Sequence, residues 1–212
     1  MHISIIGAGS VGSALAQAWG RAGHDIILGV REPGAERLST LLADTGATAV
    51  VPAEAAAAGE VVVLALPWHA AEAAVAGLDG LAGKIVIDCM NPLAMRDGVL
   101  GLDRGYDTSG AEVLAQWLPE ARIVKTLNQV GAEIMADASG LAVPPVMFMA
   151  GEDDAAKTTV AGLLSDIGFD PHDAGGLRQA RLLEPFAMVW INQALLRGKG
   201  RNWAFAAVAK QA

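Results

Sequence analysis

The run Ile3-Ser4-Ile5-Ile6-Gly7-Ala8-Gly9-Ser10-Val11-Gly12, continued by Ser13-Ala14-Leu15-Ala16-Gln17-Ala18-Trp19, decides the fold. Its first four residues make a short apolar stretch of strand character and its last seven follow helical spacing. The three glycines therefore stand where a strand turns into a helix. A G-x-G-x-x-G turn in that setting is a dinucleotide cradle. Gly7 permits the tight turn, Gly9 lets a pyrophosphate approach the backbone, and Gly12 lets the helix pack closely on the strand. The free N–H groups of the first helical turn, at Ser10 and Val11, would then face the phosphates.

A second apolar run, Asp25-Ile26-Ile27-Leu28-Gly29-Val30, ends at Arg31. Sites for NAD place an acid here, about 20 residues past the glycines. A guanidinium instead suits a 2'-phosphate through charge and paired hydrogen bonds, so the adenosine end points to NADP. Glu32 keeps a second reading open, because its carboxylate turned inward would take ribose hydroxyls and admit NAD. Arg37, in the segment that follows, would add a second cation.

With 53% hydrophobic residues in 212, the chain can fill one sizeable core. Residues 1–151 are expected to form the dinucleotide-binding domain, with 152–212 as a small cap packed on it. A net charge of -8 argues against nucleic acid, which needs clustered Lys and Arg. Cys89 is the single cysteine, so no internal disulfide is available, a reducing cytoplasm is expected, and the thiol reads as a small buried hydrophobe. No leader is expected ahead of the first strand, and no uncharged run approaches the roughly 20 residues of a membrane span. His2, His24, His69 and His172 form no metal-binding spacing, so no metal site is expected.

Strand-like and helix-like segments alternate, predicting a Rossmann-type, doubly wound α/β fold with a mainly parallel sheet. Further strands are expected at Ala47–Val51, Glu60–Leu66, Lys84–Asp88, Arg122–Leu127 and Pro145–Ala150. Helices are expected at 34–44, 111–118, 153–167 and 178–196, and residues 93–108 read as a long loop. Ligands of such sheets bind beyond the carboxyl ends of the strands, which selects Pro67-Trp68-His69, Asn91-Pro92 and Asn128-Gln129. Asn91 and Asn128 could contact a ribose or carboxamide, and Pro67 and Trp68 could wall a nicotinamide. Each also fits an ordinary turn or sheet cover, and His69 fits a surface or helix-capping role. The single tyrosine, Tyr106, has Gly110 four residues later, so the Tyr-Lys pair of short-chain dehydrogenases is missing. No positioned proton donor stands out for reducing a ketone. Hydride exchange with a flavin-like ring can leave its protons to solvent.

These residues resemble the deazaflavin-dependent NADP oxidoreductases, which use coenzyme F420, and the related cytosolic domain of six-transmembrane ferric reductases. The resemblance rests on the glycine turn, Gly29-Val30-Arg31, Ala65-Leu66-Pro67-Trp68, Asp88-Cys89-Met90-Asn91-Pro92, Val124-Lys125-Thr126-Leu127-Asn128 and the late run Asp173 to Pro185. It implies a Rossmann domain with a C-terminal cap, a homodimer, and hydride transfer between NADPH and coenzyme F420 or a flavin such as FMN. It also sets Leu66 beside Pro67 and Trp68 among the expected cofactor contacts. Val30 stands where the family usually carries serine, so Val30→Ser is expected to sharpen selection of NADPH. Two other classes stay open. One is a carbonyl or imine reductase of the pyrroline-carboxylate or hydroxyisobutyrate type, which normally adds a helical domain of about 100 residues. The other is a non-catalytic NADP sensor.

Overall fold

The computed structural model describes residues 1–210. Six parallel strands form the central sheet: β1 (His2–Ile6), β2 (Asp25–Gly29), β3 (Thr48–Val50), β4 (Val61–Leu64), β5 (Ile85–Asp88) and, after an excursion, β8 (Arg122–Lys125). Their order is β3-β2-β1-β4-β5-β8, the doubly wound arrangement. The connecting helices are α1 (Ser10–Arg21), α2 (Ser39–Thr45), α3 (Pro52–Ala58), α4 (Trp68–Val75) and α5 (Gly110–Trp117).

Burial on both faces explains why the central strands are unbroken apolar runs. Along β4, Val61 and Val63 point into a core shared with Leu15 and Trp19 of α1. Val62 and Leu64 point into a second core with Ala55 of α3, Ala71 and Val75 of α4, and Leu114 of α5. Period-two alternation thus feeds both layers from one strand.

Past β8 come α6 (Ala132–Ala136), β9 (Val146–Met149), α7 (Asp154–Asp166), β10 (Asp170–Asp173) and α8 (Ala180–Ile191), which runs on as a π-helical turn at Asn192–Leu196. β9 and β10 form a small parallel sheet, joined to the central one through the antiparallel bridge Lys125–Ala150. Met147, Leu163, Leu164 and Phe169 of this region share the core of α1. The Trp19 indole N–H, fully buried, donates to the Leu163 carbonyl at 2.8 Å. Among the described residues no helix is long and apolar enough to cross a membrane.

Three expectations need correction. Residues 93–108 are not a continuous loop, because β6 (Leu93–Arg96) and β7 (Val99–Leu102) pair as an antiparallel hairpin. Its two-residue connection, Asp97-Gly98, has φ of 51° and 76°, the left-handed pair that a tight hairpin turn demands. The helix expected at 34–44 is a 3-10 turn, Glu36–Leu38, followed by α2. The helix expected at 178–196 is likewise segmented. A 3-10 turn at Leu177–Gln179 precedes α8, and Pro185 inside α8 removes one backbone donor.

A candidate dinucleotide site

Connections leave β1 and β4 in opposite directions, and a crevice opens between their carboxyl ends. Three backbone bonds fix its floor: Gly7 N–H to Gly29 O (3.0 Å), Ala65 N–H to Ile6 O (3.0 Å) and Cys89 N–H to Leu64 O (3.3 Å). The cleft holds about 370 Å³ and is bordered by Gly9 to Val11, Ala65 to His69, and Cys89 to Asn91.

The three glycines of the turn differ in what demands them. Gly7 has φ of 106°, and a Cβ there would lie 2.6 Å from the Ala65 carbonyl oxygen. A Cβ on Gly12 would overlap the Gly7 carbonyl and press on Ile5 at 3.3 Å. Gly9 has an ordinary extended conformation (φ -81°), and a Cβ on it would meet no protein atom within 4 Å. Packing thus accounts for Gly7 and Gly12 but not for Gly9, whose bare surface faces the crevice. Gly9 is also the N-cap of α1, with no side-chain cap and no acid in the first turn. Unsatisfied N–H groups of a twelve-residue helix therefore open on the same space, a ready anion site. The residues present fit a pyrophosphate.

Arg31 and Glu32 are both exposed just past β2, and Arg37 is exposed one turn further on. None of the three forms an ion pair within the described residues, so Arg31 is unencumbered for a 2'-phosphate. Val30 is 5% exposed and lies in the core with Leu28 and Leu38. A serine hydroxyl there would be buried, and the expected gain in selectivity from Val30→Ser is withdrawn for that reason.

Leu66, Pro67 and Trp68 line the crevice. Trp68 is held from behind by the Trp117 ring, stacked at 5.5 Å. Asn91 is half-buried at the opposite wall, whereas Asn128 does not reach the crevice. Asn128 is 4% exposed, and its amide N–H groups donate to Asn91 Oδ1 (3.0 Å) and to the Leu183 carbonyl (3.1 Å). Its own Oδ1 accepts from Gln129 Nε2 at 3.0 Å, and its backbone carbonyl accepts from Asn91 Nδ2 at 2.8 Å. The two asparagines are brought together, with Asn128 buried behind Asn91 and hydrogen-bonded to it.

Beneath Asn91 lies a cluster that spacing did not reveal. Lys125, at 0% exposure, sets its ammonium 3.0 Å from Asp88 Oδ2 and 3.2 Å from Glu184 Oε1, and also donates to the Met90 carbonyl. Glu184 accepts further from the Gly110 and Ala111 amides at the start of α5, at 2.9 and 3.2 Å. Burial opposes the charge on Lys125, yet the Asp88 and Glu184 carboxylates outweigh it and raise its pKa. Burial likewise pushes the Glu184 carboxyl up, with Lys125 and the Gly110 amide pulling it back. The cluster locks α5 and α8 onto the ends of β5 and β8. Its sequence signal was a single charge inside each of three apolar runs.

Among the residues bordering the cleft, only His69 and Cys89 carry an imidazole or a thiol. Burial, followed by the Asp88 charge, pushes the Cys89 thiol far above its ordinary value, so it supplies neither a thiolate nor an easily lost proton.

The model of the NADP oxidoreductase coenzyme F420-dependent family matches residues 2–92. A crystal structure from Arthrobacter sp. FB24, of a protein provisionally described as an F420-dependent NADP-reductase, is similar over 98% of this chain and 99% of that one. Its identity is 33% and the TM-score 0.89. Rat metalloreductase STEAP3 is 28% identical over 86% of this chain and 35% of its own length. A glycerol-3-phosphate dehydrogenase [NAD(P)+] from Azorhizobium caulinodans is 27% identical over 84% of this chain and 54% of its own. The chain thus spans about a third to a half of these curated relatives. A reductive aminase from Aspergillus terreus, solved with NADPH, shares the fold at 20% identity and a TM-score of 0.69, covering 93% of this chain and 62% of that one.

Proposed function

The chain belongs to the coenzyme F420-dependent NADP oxidoreductase family, and from that premise we propose that it moves a hydride between NADPH and a deazaflavin or flavin. The observation that carries this reading is the bare Gly9 surface at an uncapped helix start, beside a cleft whose one candidate proton donor is the exposed His69. A bound nicotinamide supplies the hydride. The protein's part is to seat the diphosphate on the α1 amides, hold the adenosine end with Arg31, and wall the ring with Leu66, Pro67 and Trp68. Asn91, braced by Asn128, orients a ribose or carboxamide. Two stacked rings that pass only a hydride need positioning rather than a titrating side chain. Exposed Leu182, Val189 and Leu196 recur every seven residues along α8 and its π-helical extension, and they support a homodimer.

NADPH oxidation with coenzyme F420, FMN and small carbonyl or imine acceptors tests the reading, the ring acceptors being expected to turn over. Under saturating reactants in stopped flow, His69→Ala should keep most of the hydride-transfer rate. General acid catalysis is worth about 10²–10⁴-fold. A loss of that size with NADPH affinity unchanged would install His69 as proton donor and favour carbonyl or imine reduction instead. No turnover with any acceptor, despite tight NADPH binding, would favour a sensor.

Arg31→Ala should weaken NADPH by about 1.5–3 kcal/mol, the range of a charge-assisted hydrogen bond. NADH, which lacks the 2'-phosphate, should be nearly unaffected. Parallel losses for the two nucleotides, read by titration calorimetry, would remove Arg31 from the site.

A further inference from the structure

A second cavity, larger than the dinucleotide crevice, lies beside it. About 890 Å³ lies between the β6–β7 hairpin with its following loop and the start of α8. Four guanidiniums border it, from Arg96, Arg104, Arg178 and Arg181, in a chain with only 15 Lys and Arg and a net charge of -8. Three carboxylates answer them in part. Asp103 is 3.2 Å from Arg96 and 3.6 Å from Arg104, Glu112 takes Arg181 in a two-pronged pair at 2.6 and 2.8 Å, and Asp107 acts on Arg181 electrostatically.

Two of the four guanidiniums make no hydrogen bond within the described residues. Arg178 is exposed and forms no ion pair. Arg104 forms no side-chain hydrogen bond: its Nε, the atom 3.6 Å from Asp103 Oδ2, is covered without a hydrogen-bond partner, while the side chain as a whole is 39% exposed. A guanidinium edge is shaped to take the paired oxygens of a phosphate or carboxylate.

This cavity adjoins the crevice. The Arg104 guanidinium lies 5.7 Å from the centre of the Trp68 ring, which borders the crevice. The hairpin contributes Leu93 to the crevice and Arg96 to the cavity. α8 contributes Leu182 to the cavity, while the next carbonyl, Leu183, holds Asn128 behind Asn91.

We infer that the arginine-lined cavity receives an anionic tail, phosphate or carboxylate, carried by the ring acceptor whose head enters the crevice, with Arg104 and Arg178 as its specificity-determining residues. The inference rests on the acceptor reading given above. The shared chemistry is an oxyanion at the end of a flexible chain; a phosphate monoester and a polycarboxylate extension are its two sources.

Two matched pairs of probes separate tail from ring: FMN against riboflavin, and coenzyme F420 against its tail-less 8-hydroxy-5-deazariboflavin core. Binding is followed by quenching of ring fluorescence on the NADP⁺-loaded protein, which requires no turnover. The tailed member of at least one pair should bind about tenfold or more tighter, one charge-assisted hydrogen bond being enough for that. The pair showing the preference identifies the source. Arg178→Gln, which breaks no side-chain hydrogen bond or ion pair among the described residues, should remove most of the preference while leaving the tail-less probe within about twofold, as should Arg104→Gln. Raising the salt should also shrink it. Equal affinity for tailed and tail-less members of both pairs, or equal losses for both members in Arg178→Gln, would overturn the inference. A tail preference without hydride transfer would uphold the cavity and count against the acceptor reading. Hydride transfer indifferent to the tail would do the reverse.

Discussion

Gly9→Val is expected to leave the melting temperature of the apoprotein unchanged and to abolish NADPH binding, whereas Gly12→Ala, a smaller change three residues away, should destabilise the fold itself. The contrast follows from what each new atom meets. At Gly12 a Cβ would collide with the Gly7 carbonyl, and backbone cannot step aside as a flexible side chain could. Clashes of this kind belong to the exceptional class of substitutions costing about 4 kcal/mol or more. At about 2–4 °C per kcal/mol for a chain of this size, that is a fall of roughly 10 °C. At Gly9 the backbone is already extended and the space open, so stability should stay within about 0.5 kcal/mol. The isopropyl group instead occupies the approach to the α1 amides. Losing two hydrogen bonds to phosphate, at about 1.5–3 kcal/mol each, lowers affinity by a hundredfold or more. Calorimetric melting and NADPH titration of both variants decide the matter, and a Gly9→Val protein that binds normally would dismiss the crevice as a phosphate site.

Lys125→Met should be the most damaging single change away from the glycines. It preserves much of the side-chain volume but leaves the Asp88 and Glu184 carboxylates buried without their common cation. Breaking a buried pair from one side costs about 3–5 kcal/mol, hence a fall of roughly 6–20 °C in melting temperature. The pH dependence carries its own signature. Since the folded pKa of Lys125 is raised above its ordinary 10.5, its contribution is complete below that pH and is lost as pH climbs through the higher folded value. The variant should therefore lack the alkaline part of the wild-type stability slope. Adding Glu184→Gln to Lys125→Met should recover part of the loss by removing one stranded charge. A single variant melting within about 2 °C of wild type would show that the cluster does not hold α5 and α8 in place.

What could be read from sequence was whatever depends on near neighbours. Ile3 to Trp19 carries strand, turn and helix start within one short stretch, so the cradle and its place in a doubly wound sheet were legible. The hairpin was legible too, in Asp97-Gly98 between Leu93–Arg96 and Val99–Leu102, but the glycines around it read as a loop. Asn128 shows the limit. Beside a strand end it resembles a ligand contact, and one of the groups that hold it, the Leu183 carbonyl, arrives from 55 residues further on. The same distance hid the charge cluster, whose members come from β5, β8 and α8, and the cavity, whose arginines run from 96 to 181. A buried charge looks the same on paper as a solvated one until its partners are known.

The hydrogen bond from Trp19 to Leu163 has a consequence for the order in which the molecule is made. The two residues stand 144 apart, and His24 reaches Asp166 across 142. At ribosomal speeds of about 5–20 residues per second, the glycine turn leaves the ribosome on the order of ten seconds before the carbonyl that fixes the far end of its helix. The cradle is therefore synthesised well before the contact that fixes the far end of its helix. A nascent chain halted before α7 should leave α1 with its indole unanswered and its apolar face uncovered. Dinucleotide capture should thus wait for α7 and not for the glycine turn alone.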